Sequence, residues 1–497
     1  MTYFMSSAAR GGRRLTRQIP NLLFAPAALR ILDDVTAAAR PSVLVIGLDC
    51  LAPDLVFDRY RGQLPTFAAL MDQGTWGPLR SADPPITIPA WTCMMTGVPA
   101  SRLGLYGFRH RRLGSYADKY LANATHVRAP RVWDVLSRAG HSVGVLGVPQ
   151  TWPPTPVNGF LISDAPAAGS TAFTFPAELE TEIERAVGRY QFDVEGFRMA
   201  DPDRVLDAIA AITRQRFDLF RALGVSRGGD FLMMVDMGTD RMHHLFYRHC
   251  DASHPRYRPG HRHSGVVLDY YRLLDAELAR TLQLAPADCH VLVVSDHGAQ
   301  PMLGGFCLND WLIARGYLRL KCPVPAVRDF HESLVDWSKT RAWAWGGHCG
   351  RIFLNLRGRE PEGTVAPDEA PALLQEIAHA LEAELDASGG PMGNCVLRMG
   401  GPELPDPAGD HPDLLVYLGE MRWRALGSIG HADLFQQEND TGADDASHHP
   451  MGVVIHRGPG RPQGYRAGLR ILDVAPTVLS WFNLPPVDGC DGRVLDL

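Results

Sequence analysis

At 497 residues, 45% apolar and 21% charged, the chain has the make-up of a globular protein with room for two domains, or for one large domain with insertions. A net charge of -6 gives no electrostatic footprint for nucleic acid. Nine scattered cysteines with no Cys-x-x-Cys pair argue against a disulfide framework or a thiolate zinc knuckle, and no apolar run is long enough to span a bilayer.

Residues 1–40 read as a loose basic arm with a short helix. Within it, Arg13-Arg14 and the apolar run Asn21 to Leu29 form a poor twin-arginine export pattern, closed early by Arg30 and Asp33-Asp34. The expectation is a cytoplasmic enzyme, with export as the alternative. Ser42 to Asp49 is the first strong strand. It is apolar on both faces, which makes it central and parallel, and it ends in a carboxylate that could equally serve as a turn residue. Leu64 to Gly74 has helical spacing and a glycine stop.

Prolines break the chain before Thr87. Pro89 fits the first turn of a helix running to Gly97, so Thr87 sits just before a helix N-terminus, where unpaired N–H groups and the dipole suit a phosphate. A capping role would explain Thr87 too, and Thr92 and Thr96 lie nearby. Arg102, Arg109, Arg111 and Arg112 follow. They could steady non-bridging phosphate oxygens, but solvated surface positions are the default reading.

Val132 to Ala139 reads as a helix, His141 to Val148 and Gly159 to Asp164 as strands, and Pro176 to Ala222 as two amphipathic helices. The buried strand Asp230 to Asp236 runs into a segment where Asp240 and His244, four apart, share a helix face and can hold one ion. Asp236 is a weaker rival for Asp240, and His243 faces elsewhere. Ser264 to Leu284 is a helix. His290 to Val294 is a strand that stops at Ser295-Asp296-His297-Gly298, placing a carboxylate and an imidazole at its carboxyl end, where open α/β sheets bind ligands.

After the short helix Leu308 to Leu318, the segment 341–420 changes character. Strands at Gly350 to Leu356 and Leu414 to Leu418 flank a helix at Glu369 to Leu385, which reads as a small α+β insertion or cap. Asp433 to Ala446 reads as a loop. It ends in His448-His449, just before a strand at Val453 to Ile455, and Arg470 to Phe482 is the closing helix. The predicted architecture is α/β, with a mostly parallel central sheet flanked by helices. The core spans 41–340 and is completed by 421–497.

Asp49, Thr87, Asp240, His244, Asp296, His297 and His448 would make a set of oxygen and nitrogen donors without thiolate. That set suits two divalent ions, Zn²⁺ first, with Mn²⁺ or Fe as alternatives. A pair of ions about 3.5–4 Å apart would clamp the attacking and leaving oxygens of an in-line phosphoryl displacement. Thr87 would attack phosphorus, and water would then cleave the phosphothreonine.

The pattern resembles the alkaline phosphatase superfamily, and within it the type I phosphodiesterase/nucleotide pyrophosphatase branch. Val45 to Asp49 is similar to the opening metal aspartate. Thr87-Ile88-Pro89, with Met95-Thr96-Gly97 and Pro99, is similar to the nucleophile segment. Asp240 to His244 and Ser295 to Gly298 resemble the two metal pairs, and His448 with Gly452 resembles the last histidine ligand. Ile471 to Leu479, with Asp491-Gly492-Arg493, resembles the closing segment. The resemblance implies that Asp49, Thr87, Asp296 and His297 surround one ion and that Asp240, His244 and His448 hold the other. Two departures stand out. Thr87-Ile88-Pro89-Ala90-Trp91 replaces the sulfatase Cys-x-Pro-Ser-Arg, and Ala90 stands where the nucleotide pyrophosphatases often carry asparagine. The expected activity is hydrolysis of a small phosphodiester or pyrophosphate. Phosphomonoester hydrolysis or transfer of a phospho-substituent is the alternative, and a non-catalytic binding protein on the same scaffold is a third reading.

Overall fold

The computed structural model describes residues 40–164, 172–198, 200–442, 444–460 and 463–497. The N-terminal arm and its arginine pair lie outside the described residues.

A ten-stranded mixed sheet forms the main body. Its centre is five parallel strands in the order His290–Val294, Val43–Leu48, Phe231–Asp236, Val143–Leu146 and Gly159–Ile162. Met451–Arg457 runs antiparallel beside His290–Val294 and carries Thr75–Arg80 on its other side. Alternate side chains of Val43–Leu48 serve two separate cores. Leu44 and Ile46 pack with Phe67, Phe217 and Tyr270 on one face, and Val43 and Val45 pack with Trp91, Trp133 and Val478 on the other. With both faces covered by helices, the strand reads as an unbroken apolar run.

The register sets up the functional edge. Gly47 lies opposite Val294 and Leu48 opposite Asp236. Two residues further on, Asp49 and Asp296 therefore leave neighbouring strands at the same level. The helix Gly238–Phe246 starts just past the end of Phe231–Asp236.

A second, four-stranded antiparallel sheet combines Ala342–Trp345, Gly350–Leu354, Leu414–Tyr417 and Cys395–Arg398, with the helix Ala370–Glu382 packed near it. Its core takes in residues on both sides of 341–420, from Phe306 to Phe435, and also Tyr116. Arg111 reaches this unit as well. It is buried against Glu360 at 2.8 and 2.5 Å and lies over the rings of Trp343 and Phe353. The expectation that it is a solvated surface arginine therefore does not hold. Arg102 instead pairs with Asp491 at 2.7 Å.

Two boundaries differ from the sequence reading. Thr87 is the first residue of its helix, Thr87–Thr96, rather than the residue before it. Ala446–His449 is itself a strand, held antiparallel to Gly298–Pro301 with His448 opposite Ala299. That pairing is long-range, and local propensity carries no trace of it.

Candidate metal centre

Asp49, Asp240, Asp296, His244, His297 and His448 converge at the carboxyl edge of the parallel strands, and all six are buried. Ligand atoms of Asp49, Asp296 and His297 lie within 4.8 Å of one another, as do those of Asp240, His297 and His448. His244 Nε2 is 3.2 Å and His448 Nε2 3.7 Å from Asp240 Oδ1.

Each of these side chains has one polar atom tied down and the other turned into the cluster. Trp91 Nε1 donates to Asp49 Oδ2 at 2.7 Å, the Cys50 N–H donates to Asp296 Oδ1 at 3.2 Å, and Arg241 donates to Asp240 Oδ2. The opposite oxygens, Asp49 Oδ1, Asp296 Oδ2 and Asp240 Oδ1, are buried without a hydrogen-bond partner. The imidazoles follow the same rule through Nδ1. His244 Nδ1 meets Asp444 Oδ1 at 2.6 Å, His448 Nδ1 meets the Pro85 carbonyl at 2.9 Å, and His297 Nδ1 meets the Gly298 carbonyl at 3.2 Å. An Nδ1–H held by an acceptor leaves the Nε2 lone pair facing inward, and His297 Nε2 is likewise buried without a partner. Buried polar atoms are rarely left unpaired. Four of them here, all converging and all lone-pair donors, fit cations.

The electrostatics agree except at His244, where burial is outweighed by Asp444 and Asp240, which raise the imidazole above its usual range. Burial, with the charge of Asp240 beside it, pushes Asp49 up to about 8. Burial and Asp49 drive Asp296 well above the usual carboxylate range. Burial opposes ionisation of Asp240 too, but His244 and Arg241 outweigh it and hold the group well below that range. Burial lowers His297 to about 4 and holds His448 well below the usual imidazole range, which keeps both rings neutral and able to ligate. Three crowded carboxylates therefore resist ionising together unless positive charge joins them.

Thr87 is buried at the first residue of its helix, and no side chain caps that helix N-terminus. The same helix supplies Trp91 to Asp49, and Pro85 just before it meets His448, so the segment around Thr87 is fastened to both halves of the cluster. The other two threonine hydroxyls are occupied. Thr92 donates to the Ile88 carbonyl and Thr96 to the Thr92 carbonyl, both at 2.8 Å. A first-turn residue has no carbonyl four places back in its helix, so Thr87 has no such partner.

Geometry also separates the rivals. Asp236 accepts from Thr213, Tyr270 and the Gly238 N–H, a structural network one strand end away. His243 meets Tyr271. His449, on the opposite face of its strand from His448, meets the backbone of Met451.

Sequence reasoning misses His348. It comes from the second sheet, on the turn between Ala342–Trp345 and Gly350–Leu354, and its ring stacks on His448 at 3.7 Å. A ring nitrogen lies within 4.8 Å of those of His244 and His448, and Nδ1 is buried without a partner. Two glycines make the turn possible. A Cβ on Gly346 would sit 2.5 Å from the Ala425 carbonyl oxygen, and Gly347 has a φ of +139°. Asp444 is missed as well. It takes hydrogen bonds from Arg424 at 2.6 Å and Arg198 at 2.5 Å while orienting His244.

The fold is similar to that of human ectonucleotide pyrophosphatase/phosphodiesterase 5, at 13% identity over 89% of this chain and 95% of that one, with a TM-score of 0.50. Phosphonoacetate hydrolase from Sinorhizobium meliloti, solved with phosphonoformate, is similar at 16% identity over 89% and 97%, with a TM-score of 0.57. The murine ectonucleotide pyrophosphatase/phosphodiesterase 5, solved with AMP, matches at 12% identity over 90% and 96%, with a TM-score of 0.50. No curated protein matches the chain in sequence. The model of the type I phosphodiesterase/nucleotide pyrophosphatase family matches residues 43–447. On that match, and with the α/β architecture it shares with these structures, the chain belongs to the type I phosphodiesterase/nucleotide pyrophosphatase family.

Proposed function

We propose that the protein is a two-ion hydrolase that cleaves phosphodiester or pyrophosphate bonds of a small molecule through a phosphothreonine at Thr87. The observation that carries this reading is the matched set of inward-facing lone pairs. Asp49, Asp296 and His297, with Thr87, would hold one ion, and Asp240, His244 and His448 the other. Oxygen and imidazole donors without thiolate suit Zn²⁺, with Mn²⁺ or Fe as alternatives. When bound, such ions act as Lewis acids on phosphoryl oxygens and favour the alkoxide of a hydroxyl beside them.

The protein's own contribution is positioning. The Thr87 hydroxyl starts its helix, where uncapped N–H groups and the dipole favour an anionic phosphate. Its oxygen forms the new bond to phosphorus as the bond to the leaving oxygen breaks. A water then cleaves the Thr87–phosphate ester, restoring the hydroxyl and releasing the phosphorylated product. His348 faces this space from the second sheet and would contact substrate. The reading draws support from the family match and from the murine relative solved with AMP, an inactive threonine variant.

The test is hydrolysis of a paired aryl phosphodiester and aryl phosphomonoester by zinc- and manganese-loaded protein, with a chelated control. A diester rate well above the monoester rate, lost on chelation, supports the reading. A monoester preference transfers the enzyme to the phosphomonoesterase alternative, and no turnover of either leaves the binding-protein reading.

A further inference from the structure

The helix that carries Asp240 and His244 does not end at the catalytic edge. It continues through the turn Tyr247–His249 into a second group of imidazoles. His249 stacks on His261, with centroids 4.1 Å apart and planes within 6° of parallel. His263 stands edge-on to both, at 5.6 and 5.2 Å. One ring nitrogen from each of the three lies within 4.8 Å of the other two.

Two further observations point to a ligand. His249 Nδ1 is buried and has no hydrogen-bond partner. His263 Nε2 is 2.9 Å from Asp203 Oδ1, so a carboxylate orients this ring by one nitrogen and leaves Nδ1 for another bond. A carboxylate behind a histidine is the usual support of a metal-bound imidazole.

We propose that His249, His261 and His263 form a three-histidine site for a borderline transition-metal ion of the zinc and nickel class, with a fourth position for water. The donor set disfavours hard cations, because three imidazole nitrogens are no oxygen cage for Mg²⁺ or Ca²⁺. Zn–N bonds of about 2.0–2.1 Å in a tetrahedron put donor nitrogens about 3.4 Å apart, so closing the site requires the parallel rings of His249 and His261 to tilt until their in-plane lone pairs meet. An ion there would pin the loop before Val266–Thr281 to the end of the Asp240 helix, and through Asp203 to the start of Pro202–Ser226. The inference rests on this cluster alone and is independent of the catalytic reading.

The test is a zinc count. Chelator-stripped full-length protein is equilibrated with zinc and its metal content measured, with His261→Ala and His249→Gln alongside; circular dichroism verifies folding. His261 is partly exposed, so its removal costs little beyond its ring contacts with His249 and His263. Wild type is expected to hold one zinc per chain more than either variant, while both variants keep wild-type diester hydrolysis. Equal zinc content in all three overturns the proposal. The readout is a difference, so it stands even if the catalytic cluster binds fewer ions than expected.

Discussion

Trp91 Nε1 donates to Asp49 Oδ2 at 2.7 Å, and the carboxylate's other oxygen faces the cluster with no partner. The indole thus fixes which oxygen is presented. It is also held rigidly, because Trp91 is fully buried on the helix that begins with Thr87. Trp91→Phe removes the donor together with part of a fully buried ring, so circular dichroism must verify the fold beside the affinity. Zinc affinity should fall about 10–100-fold, the usual effect of losing an outer-shell partner. A competition titration against a zinc chelator measures it, and an unchanged affinity would remove Trp91 from the account.

His348 approaches the cluster from the second sheet, stacked on His448, while His244 and His448 already converge on Asp240. On the proposed function, His348 contacts substrate and not an ion. His348→Ala should leave zinc content at the wild-type value and raise KM for a diester. Loss of zinc instead would make His348 a ligand.

Buried His110 accepts a hydrogen bond from the Tyr106 N–H at 2.9 Å. Burial first, and then Arg351, lowers it from 6.5 to about 3. Because the folded value is depressed, its stabilising contribution is complete above pH 6.5. Below that, the unfolded chain takes up a proton that the native ring refuses, and stability falls progressively toward about pH 3. His110→Gln keeps an acceptor and cannot titrate. Urea unfolding at about pH 7 and about pH 5 should show a smaller acid-induced loss for the variant than for wild type. Equal losses would contradict the assignment.

Arg111 and Glu360 tie the segment after the helix Thr87–Thr96 to the second sheet, and both side chains are out of solvent. Removing one partner of a buried ion pair costs about 3–5 kcal/mol, because the other charge is left stranded. Glu360→Ala should show a loss of that size by chemical denaturation. Arg111→Met combined with Glu360→Leu should lose less than the single variant, and a double variant at least as damaged would contradict this view of the pair.

Much of this cluster is legible in the sequence because its candidate ligands sit at the ends of local patterns. Asp49 and Asp296 terminate apolar runs, and Asp240 and His244 share a helix face, so period and punctuation find them. His348 and Asp444 have no such mark. His348 lies on a hairpin turn in a separate sheet, and Asp444 lies on a loop, joined to His244 only by tertiary contact. Arg111 shows the same limit. A run of arginines looks solvated until Glu360, far along the chain, is folded against it. The strand at Ala446–His449 is a further case, formed only by pairing with Gly298–Pro301.

The most direct test of the central claim is chemical quenching during turnover of an aryl phosphodiester by zinc-loaded protein, followed by peptide mass spectrometry. The account predicts a phosphorus-containing adduct on the Thr87 hydroxyl, with neither adduct nor turnover in Thr87→Ala. Undiminished turnover by Thr87→Ala, with no adduct at Thr87 in the wild-type protein, would contradict it.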